Sequence, residues 1–335
     1  WEELNGGGSM QDLETLFQMM HLAFVAPRRD ADAFAAWRAG EAESVKNRRL
    51  SPEGVFYEDM AIFSTQGHVR RRPVTPELLQ KVDLDRALGI YKDRFADASD
   101  FTFVFVGNVE LDRLKSLVET YLGSLPGKKR KESWRDPKVQ LPLGVKTKTI
   151  KKGSEPKSMV SLTFHGSEKW SRDTENDMRA LAEVLRLRLR QVLREDMGGV
   201  YGVQVGGGIT RRPRQEYRFS VSFGCAPENV EKLKQAVFDE IAAVQKDGAA
   251  EDYIAKVKEA RRRAHQTELK DNGYWLRELE RAYVFGDDPR QIVDIEPMLA
   301  KVTSDRVKAA AKKYISSKQY LLGVLEPDAP AVKQP

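Results

Sequence analysis

Residues that could bind a metal ion are few and widely spaced in this sequence. The histidines are His21, His68, His165 and His265, and no two of them fall within one helical turn. Zinc hydrolases usually carry two histidines four residues apart on a helix, or an inverted His-x-x-Glu-His motif. The sequence therefore predicts no metal site and no bound cofactor in this chain, and favours packing or surface roles for His21 and His165.

Other common catalytic motifs are also weakly supported. Cys225, the single cysteine, ends an apolar segment in which a buried, unreactive thiol is expected. Glycine runs at residues 6–8 and 206–208 lack the lysine and hydroxyl residue of a P-loop and the spacing of a dinucleotide fingerprint. We interpret both runs as turns. No catalytic residue is predicted in this chain alone.

One segment, residues 193–203, has side chains suited to binding a peptide carbonyl. Arg194 falls in the last turn of a predicted helix, Gly198 and Gly199 end that helix, and Tyr201 begins the next strand. A tight reversal would place guanidinium and phenol on one side of the junction, as hydrogen-bond donors to a carbonyl or a developing oxyanion. The alternative is structural: Arg194 would satisfy helix-end carbonyls and Tyr201 would be a strand aromatic.

The elements around this segment can be predicted from hydrophobic periodicity. A helix capped by Asp173 and ending near Asp196 repeats apolar residues every three or four positions, so one face should pack on a sheet. Residues 159–164 read as a strand, and alternating apolar residues at 203–205 and 217–223 predict an antiparallel ribbon. The apolar helix face consists of Met178, Leu181, Ala182, Leu185, Leu189, Val192 and Leu193.

An internal repeat organises the chain. The hexapeptide at residues 81–86 (Lys-Val-Asp-Leu-Asp-Arg) recurs 220 residues later at 301–306 (Lys-Val-Thr-Ser-Asp-Arg), and each copy opens an amphipathic helix. A predicted strand follows each copy, at residues 101–106 and 320–325. Upstream, helix starts at Asp12 and Asn229 also correspond.

The repeat predicts an α+β fold with two homologous α/β sandwich units, each an antiparallel sheet with helices packed on one face. We assign residues 1–126 to the first unit, 127–144 to a proline-punctuated linker, 145–328 to the second, complete unit, and 329–335 to a tail. The first unit has no counterpart of residues 145–226, so we predict that it is N-terminally truncated.

Composition excludes some classes of protein. The 335 residues carry a net charge of +6, but 56 basic residues are interleaved with 50 acidic ones, and the basic clusters lack aromatic stacking platforms. Nucleic-acid binding is therefore not favoured; it would show affinity that falls steeply with salt. No apolar run suits a membrane-spanning helix, and the N-terminus lacks the pattern of a signal peptide. One cysteine leaves the compartment open.

The sequence resembles the C-terminal half of pitrilysin/insulinase-family zinc peptidases, especially the large bacterial enzymes with two halves, over nearly its whole length. The resemblance rests on Asp-Leu-Glu-Thr-Leu-Phe-Gln at 12–18 with Ala-Pro-Arg at 26–28, on Phe-Thr-Phe-Val-Phe-Val-Gly-Asn at 101–108 leading to Tyr-Leu-Gly-Ser-Leu-Pro at 121–126, and on residues 193–201. The inverted zinc motif itself is absent.

This resemblance implies that zinc is bound by an N-terminal half, in the same polypeptide or a separate subunit, and that this chain encloses a peptide substrate without cleaving it alone. It also implies that Arg194 and Tyr201, seven residues apart, reach the substrate carbonyl, with Gly198 and Gly199 setting the turn between them. Family members suggest the bacterial periplasm, with the cytoplasm as alternative. The main functional alternative is a catalytically silent assembly subunit of the same family.

Overall fold

The computed structural model describes residues 2–328, apart from the side chain of Tyr201; the predicted tail, residues 329–335, lies outside the described residues. The strands are β1 Val145–Lys151, β2 Ser158–Ser167, β3 Val200–Thr210, β4 Glu216–Cys225 and β5 Tyr320–Glu326. The α-helices are α1 Leu13–Val25, α2 Ala31–Arg48, α3 Pro52–Ser64, α4 Pro76–Gln80, α5 Leu84–Arg94, α6 Leu111–Leu117, α7 Arg172–Leu189, α8 Val230–Asp247, α9 Glu251–Glu268, α10 Asn272–Phe285, α11 Glu296–Ala300 and α12 Ser304–Tyr314.

These elements confirm the α+β class. The strands form one sheet in the order β1-β5-β2-β4-β3. The β4–β3 pair is antiparallel, as the ribbon pattern predicts; the β5–β2 and β2–β4 pairs are also antiparallel, while the β1–β5 pair at one edge is parallel. A parallel pair needs a long connection, and β1 and β5 lie at opposite ends of the second unit, so local pattern could not reveal their pairing.

Contact density groups the chain into two compact units. One contains the sheet and comprises residues 46–73, 134–265 and 294–328; the other comprises residues 2–45, 74–133 and 266–293. Each unit therefore draws on three separate segments. The division at residues 127–144 stays a prediction about homologous segments, because compactness follows contacts rather than ancestry.

The sheet unit has a large core on one face of the sheet. Helices α7, α8 and α12 bury their apolar faces there, and Phe164, Leu185 and Phe219 are fully buried. On β5, alternation sends Leu322 and Val324 into this core and Leu325 to the opposite face.

The opposite face of the sheet carries a smaller layer. Helix α3 packs there, with Phe56 and Met60 against Ile150 and Leu325. A Cβ added at Gly323 would lie only 2.6 Å from Met60 Sδ, so the glycine lets α3 approach β5 closely. The sequence predicts helices on one face of the sheet only, whereas the structure also has α3 on the opposite face. Helix α3 is distant in sequence from the strands that the repeat predicts.

The helix starts predicted at both copies of the repeated hexapeptide are confirmed, and each has a side-chain cap. Asp83 Oδ1 accepts the Arg86 N–H at 2.7 Å where α5 begins, and Thr303 Oγ1 accepts the Arg306 N–H at 3.3 Å where α12 begins. An oxygen at this position satisfies one of the free N–H groups of the first helical turn. The third residue of each hexapeptide is therefore the helix N-cap.

The predicted strand at 101–106 is wrong. Phe101 is extended, and Phe105 stacks on Phe17 of α1 with ring centroids 5.0 Å apart, but among residues 2–328 no strand pairs with this segment. By contrast β5, its counterpart in the repeat, lies between β1 and β2. The alternation at 101–106 reflects aromatic packing against α1, and a strand also needs a hydrogen-bonded neighbour.

Glycines 206–208 do not form the predicted turn. They lie inside β3, opposite residues 218–220 of β4, and the chain reverses after Thr210 instead. A Cβ at Gly207 would lie 2.7 Å from Met178 Sδ and 2.8 Å from the Phe219 ring. The glycine thus allows α7 to pack closely on β3, which is a tertiary requirement that resembles a turn signal in sequence.

Residues 128 and 130, in the first part of the predicted linker, are fixed by a carboxylate. Asp97 accepts the backbone N–H of Lys128 at 2.8 Å and of Arg130 at 2.6 Å, and the Ser99 hydroxyl at 2.6 Å. These hydrogen bonds, that of Ser99 foremost, hold the pKa of Asp97 well below its usual range. This part of the linker is therefore held by specific contacts to its own unit.

Candidate functional site

Helix α7 leads to the candidate site, and its N-cap lies two residues before the predicted cap, Asp173. Ser171 is the N-cap: its Oγ accepts the Thr174 N–H at 3.0 Å, and Thr174 Oγ1 accepts the Ser171 N–H at 2.9 Å. Asp173 lies in the first turn and accepts a hydrogen bond from Lys301 Nζ at 2.7 Å, which lowers the pKa of Asp173. The prediction that Asp173 caps the helix is therefore wrong, because a reciprocal capping box outcompetes it.

The apolar face of α7 is confirmed. Six of its seven predicted members are buried, and Val192 is partly buried. After Leu189 the helix widens into a π-helical segment, Arg190–Asp196, so it ends where the sequence predicts. Single π-turns within α-helices are rare and often occur at functional sites.

The π-helical segment ends in a wide turn onto β3. The Gly199 N–H donates to the Leu193 carbonyl at 3.0 Å, and Gly198 has a φ of +61°, in the left-handed region. Leu193 is fully buried, whereas the next residue, Arg194, is exposed. The turn thus fixes the backbone beneath Arg194 through a buried neighbour.

Arg194 presents its guanidinium to solvent. Among the described residues, no hydrogen bond or ion pair engages this side chain, whereas Arg190, one turn earlier, lies 3.8 Å from Glu195. A guanidinium offers five donors in a planar fork that suits carbonyl and carboxylate oxygens. The residue is thus placed on the structure as an exposed donor, and its role stays a prediction.

Tyr201 is the second residue of β3, just after the turn, and its side chain is outside the described atoms. Its backbone falls where the β3–β4 register shifts: Val200 pairs with Cys225, and Val203 pairs with Phe223. Two residues on β3, 201 and 202, therefore lie opposite one on β4, residue 224, which is the pattern of a β-bulge. The structure places Arg194 and Tyr201 at the two ends of one short connection, and their shared role is untested.

The two glycines of this connection have different physical requirements. Gly198 needs a positive φ with open space around it, whereas a Cβ at Gly199 would lie 2.8 Å from Leu233 Cδ2. We expect Gly198→Ala to lower the free energy of unfolding by about 1 kcal/mol through left-handed strain. Gly199→Ala should cost about 1–3 kcal/mol through overpacking. Chemical denaturation checks both values.

A double variant separates these two causes. Leu233→Ala should relieve part of the Gly199→Ala penalty, because it removes the clashing methyl groups, and should leave the Gly198→Ala penalty unchanged. If the unfolding penalty of each glycine variant is the same with and without the Leu233→Ala substitution, this account of the turn is contradicted.

The thiol of Cys225 is buried, as the sequence predicts. It is 5% exposed on β4, and burial raises its pKa to about 11. The thiolate is the nucleophilic form, so a protonated thiol at neutral pH gives this residue a packing role.

Within residues 2–328, no three His, Cys, Asp or Glu side chains gather into a group that could hold a metal ion.

Sequence reasoning missed the polar contacts of the histidines. His68 and His165 each use both ring nitrogens in hydrogen bonds, and each meets a carbonyl of the segment 134–144. Their spacing from that segment carries no periodic signal, so only the tertiary structure reveals the contacts.

No helix among the described residues has the length and apolar character required to cross a membrane.

Comparison with known proteins identifies the family. Residues 81–261 match the family model for the peptidase M16 inactive domain, which covers more than half of the chain. The chain therefore belongs to the peptidase M16 family. The predicted resemblance to pitrilysin/insulinase-type zinc peptidases is confirmed, and with it a peptidase-related role.

Particular relatives are zinc proteases. The chain is 29% identical over 291 residues to a zinc protease PQQL-like protein of Arabidopsis thaliana, a match that covers 82% of this chain and 30% of that protein. Its fold matches the periplasmic protease PqqL from Escherichia coli with a TM-score of 0.80 at 21% identity, over 95% of this chain and 35% of that one. The separately solved first half of PqqL also shares the fold, with a TM-score of 0.74 at 12% identity, over 96% of this chain and 71% of that one.

These coverages define what is matched. The chain matches 30% of the length of the zinc protease PQQL-like protein of Arabidopsis thaliana. The family model that it matches is the one for the peptidase M16 inactive domain. The family and fold of the chain are thereby established, and the activity of a whole enzyme is a separate matter.

Proposed function

We propose that this chain is the C-terminal half of a zinc-dependent metalloendopeptidase, and that it encloses and positions a peptide substrate for a zinc site in the N-terminal half. The observation that carries the proposal is Arg194: an exposed guanidinium without a partner among the described residues, on a π-helical turn anchored by the buried Leu193. It belongs to a chain from a family of zinc peptidases. A structural arginine would instead be expected to satisfy nearby carbonyls.

The roles of the individual residues follow from their chemistry. Arg194 donates to the carbonyl oxygen of the scissile peptide bond, and the Tyr201 hydroxyl donates to the same oxygen as negative charge develops. Gly198 and Gly199 set the connection between these two residues. Zinc, bound by the N-terminal half, would supply activated water and polarise the carbonyl. The described residues of this chain contain no group fit to hold the ion.

Partners and compartment are part of the same proposal. The N-terminal half is either the same polypeptide or a separate subunit, and the substrate is a peptide. We place the protein in the bacterial periplasm, since the similar Escherichia coli protease is described as periplasmic. The chain alone would be inactive and would bind neither zinc nor nucleic acid.

Reconstitution tests the proposal directly. The isolated chain should show no peptide hydrolysis with or without zinc, and addition of the N-terminal half should produce turnover that a chelator abolishes. Titration of one half against the other should reach full activity at equal amounts. The matched control is the N-terminal half alone, whose rate should fall well below that of the pair because the substrate carbonyl lacks the donors of this chain.

Two outcomes would overturn the proposal. Metal-dependent turnover by the isolated chain would place a zinc site in it. A stable complex of the two halves with no more peptidase activity than the N-terminal half alone would identify the chain as the catalytically silent assembly subunit.

A further inference from the structure

A segment of the predicted linker crosses the sheet unit and is held there by two histidines. We define residues 134–144 as the strap. His68 Nε2 lies 2.9 Å from the Pro137 carbonyl near one end, and the His165 ring hydrogen-bonds to the Pro142 carbonyl near the other. Between these points, Gln66 Nε2 donates to the Gln140 carbonyl at 3.1 Å. The backbone of the strap thus depends on side chains from elsewhere in the unit.

The hydrogen bonds of His165 require its neutral form. The Gly144 N–H donates to Gln319 Oε1 at 2.8 Å, which fixes the amide so that Gln319 Nε2 faces His165 Nε2 at 3.1 Å. An amide nitrogen only donates, so His165 Nε2 must accept. The proton therefore sits on the other ring nitrogen and is donated to the Pro142 carbonyl.

His68 follows the same logic at the other end of the strap. The backbone N–H of Arg70 donates to His68 Nδ1 at 3.2 Å, so Nδ1 is an acceptor. The proton lies on Nε2, which donates to the Pro137 carbonyl. Both imidazoles are thus used fully in their neutral forms, and a second proton on either ring would set a donor against a donor.

We propose that residues 134–144 form an acid-sensitive strap, held closed by the neutral imidazoles of His68 and His165 and loosened when the His165 ring takes up a proton. A protonated His165 cannot keep both Gln319 and Pro142: if Gln319 leaves, the Gly144 N–H loses its acceptor, and if His165 leaves, Pro142 loses its donor.

Electrostatics around His165 act in the same direction. His165 is 8% exposed, and burial is the largest cause that lowers its pKa below the ordinary 6.5; Arg218 on β4 adds to this, while the Pro142 carbonyl and Glu216 oppose it. The strap itself carries Arg135, Asp136 and Lys138. Charged residues on the elements packed around it are Asp59 on α3, Arg70 and Arg71 beside His68, Lys146 and Lys148 on β1, and Arg214, which contacts the Val139 carbonyl and pairs with Glu216 at 3.0 Å.

The direction of the pH effect follows from this lowered pKa. The open strap exposes His165 and binds a proton near pH 6.5, whereas the closed strap binds it only at lower pH. The closed form is therefore fully favoured above about pH 6.5 and loses stability as the pH falls below that value. Pro142 is also one wall of a groove formed with Ile62 and Phe63 of α3 and Lys146 of β1, so loosening of the strap would widen this groove.

Hydrogen exchange across pH tests the strap in the full chain. With exchange normalised for the intrinsic effect of pH, the opening constant of amides in residues 138–144 should rise about tenfold from about pH 7.5 to about pH 5.5 as His165 takes up a proton. Amides in the core of α7 should not change. In a His68→Gln/His165→Gln variant, the strap should respond to pH far less, because glutamine stays neutral.

His21→Gln is the matched control, because His21 Nδ1 also donates to a backbone carbonyl, that of Tyr121, but lies outside the strap; it should keep the wild-type response. If the double variant does not fold, nitrogen-15 spectra of the wild-type imidazoles decide. They should show a proton on Nδ1 of His165 and on Nε2 of His68, with His165 titrating below 6.5. Strap exchange that follows the intrinsic rate alone, an unchanged response in the folded double variant, or the opposite tautomers would overturn the proposal.

Discussion

Replacing Arg194 with alanine in the assembled two-half enzyme is expected to lower kcat by about 10²-fold or more, since loss of one preorganised donor to a developing oxyanion typically has that effect. The side chain is exposed and has no partner among the described residues, so the variant should fold with nearly unchanged stability. Steady-state kinetics with a fluorogenic peptide, together with thermal unfolding, separate these two effects.

Arg190→Ala is the matched control for this prediction. Arg190 belongs to the same π-helical segment, its side chain is 60% exposed, and its neighbour is Glu195. Its loss should leave kcat nearly unchanged. Arg194→Lys should recover only part of the rate because lysine lacks the planar fork. Tyr201→Phe should also lower kcat, and the combined Arg194 and Tyr201 variant should lose less than the product of the single losses if both donate to one oxygen.

Normal turnover by Arg194→Ala would remove Arg194 from the substrate site and restore the structural interpretation. A large rise in KM with unchanged kcat would mean that Arg194 binds substrate and transition state equally. Either result leaves the membership in the peptidase M16 family untouched.

Removal of the Glu183 carboxylate is expected to have the largest effect on stability, about 3–5 kcal/mol for Glu183→Ala, because it leaves a buried cation without its counterion. Arg261 is 7% exposed, and its Nε lies 2.5 Å from Glu183 Oε2. Burial lowers the pKa of Arg261, although its guanidinium remains charged at neutral pH. Urea denaturation measures the loss.

The surroundings of Arg261 and Glu183 make the stability sensitive to loss of the Glu183 carboxylate. Arg261 Nη1 donates to Asn176 Oδ1 at 2.8 Å, whereas its buried Nη2 has no hydrogen-bond partner in the described part of the chain. One nitrogen of the guanidinium is therefore already unsatisfied, and loss of the carboxylate would add a second deficit. The position allows little adjustment.

Two further variants test the cause. Arg179→Ala removes the other arginine beside Glu183, at 3.1 Å, but that side chain is 60% exposed, so a loss below about 1 kcal/mol is expected. Glu183→Leu combined with Arg261→Met should regain much of the stability, since a well-packed apolar pair can replace a buried ion pair. A Glu183→Ala loss no larger than that of Arg179→Ala would contradict the buried-charge explanation.

Several features could be predicted from the sequence because their causes are local. The apolar face of α7 follows from three- and four-residue spacing, and the caps at Asp83 and Thr303 follow from side chains that accept an N–H three residues on. Family membership followed from short motifs. The positions of Arg194 and Gly198 at a helix end could likewise be read from the order of residues.

Predictions from the sequence were wrong where a local pattern had its cause in residues distant along the chain. Aromatic alternation at 101–106 comes from packing on Phe17 and Phe24 rather than from strand pairing, and the glycines of β3 make room for Met178. Ser171 displaced Asp173 as a cap because Thr174 reciprocates its hydrogen bond. In each case the sequence contained the correct residues but not the neighbour that determined their conformation.

The sequence by itself determined the family of this protein, its α+β class and the order of residues from Arg194 to Tyr201, because these depend on short-range spacing. Only the tertiary structure decided that the helix before Gly198 widens into a π-turn anchored by Leu193, and that Arg194 has no partner among the described residues. It also decided that His68 and His165 hold the strap. Such facts depend on residues far apart in the chain, whose proximity arises only when the sheet and its helices pack.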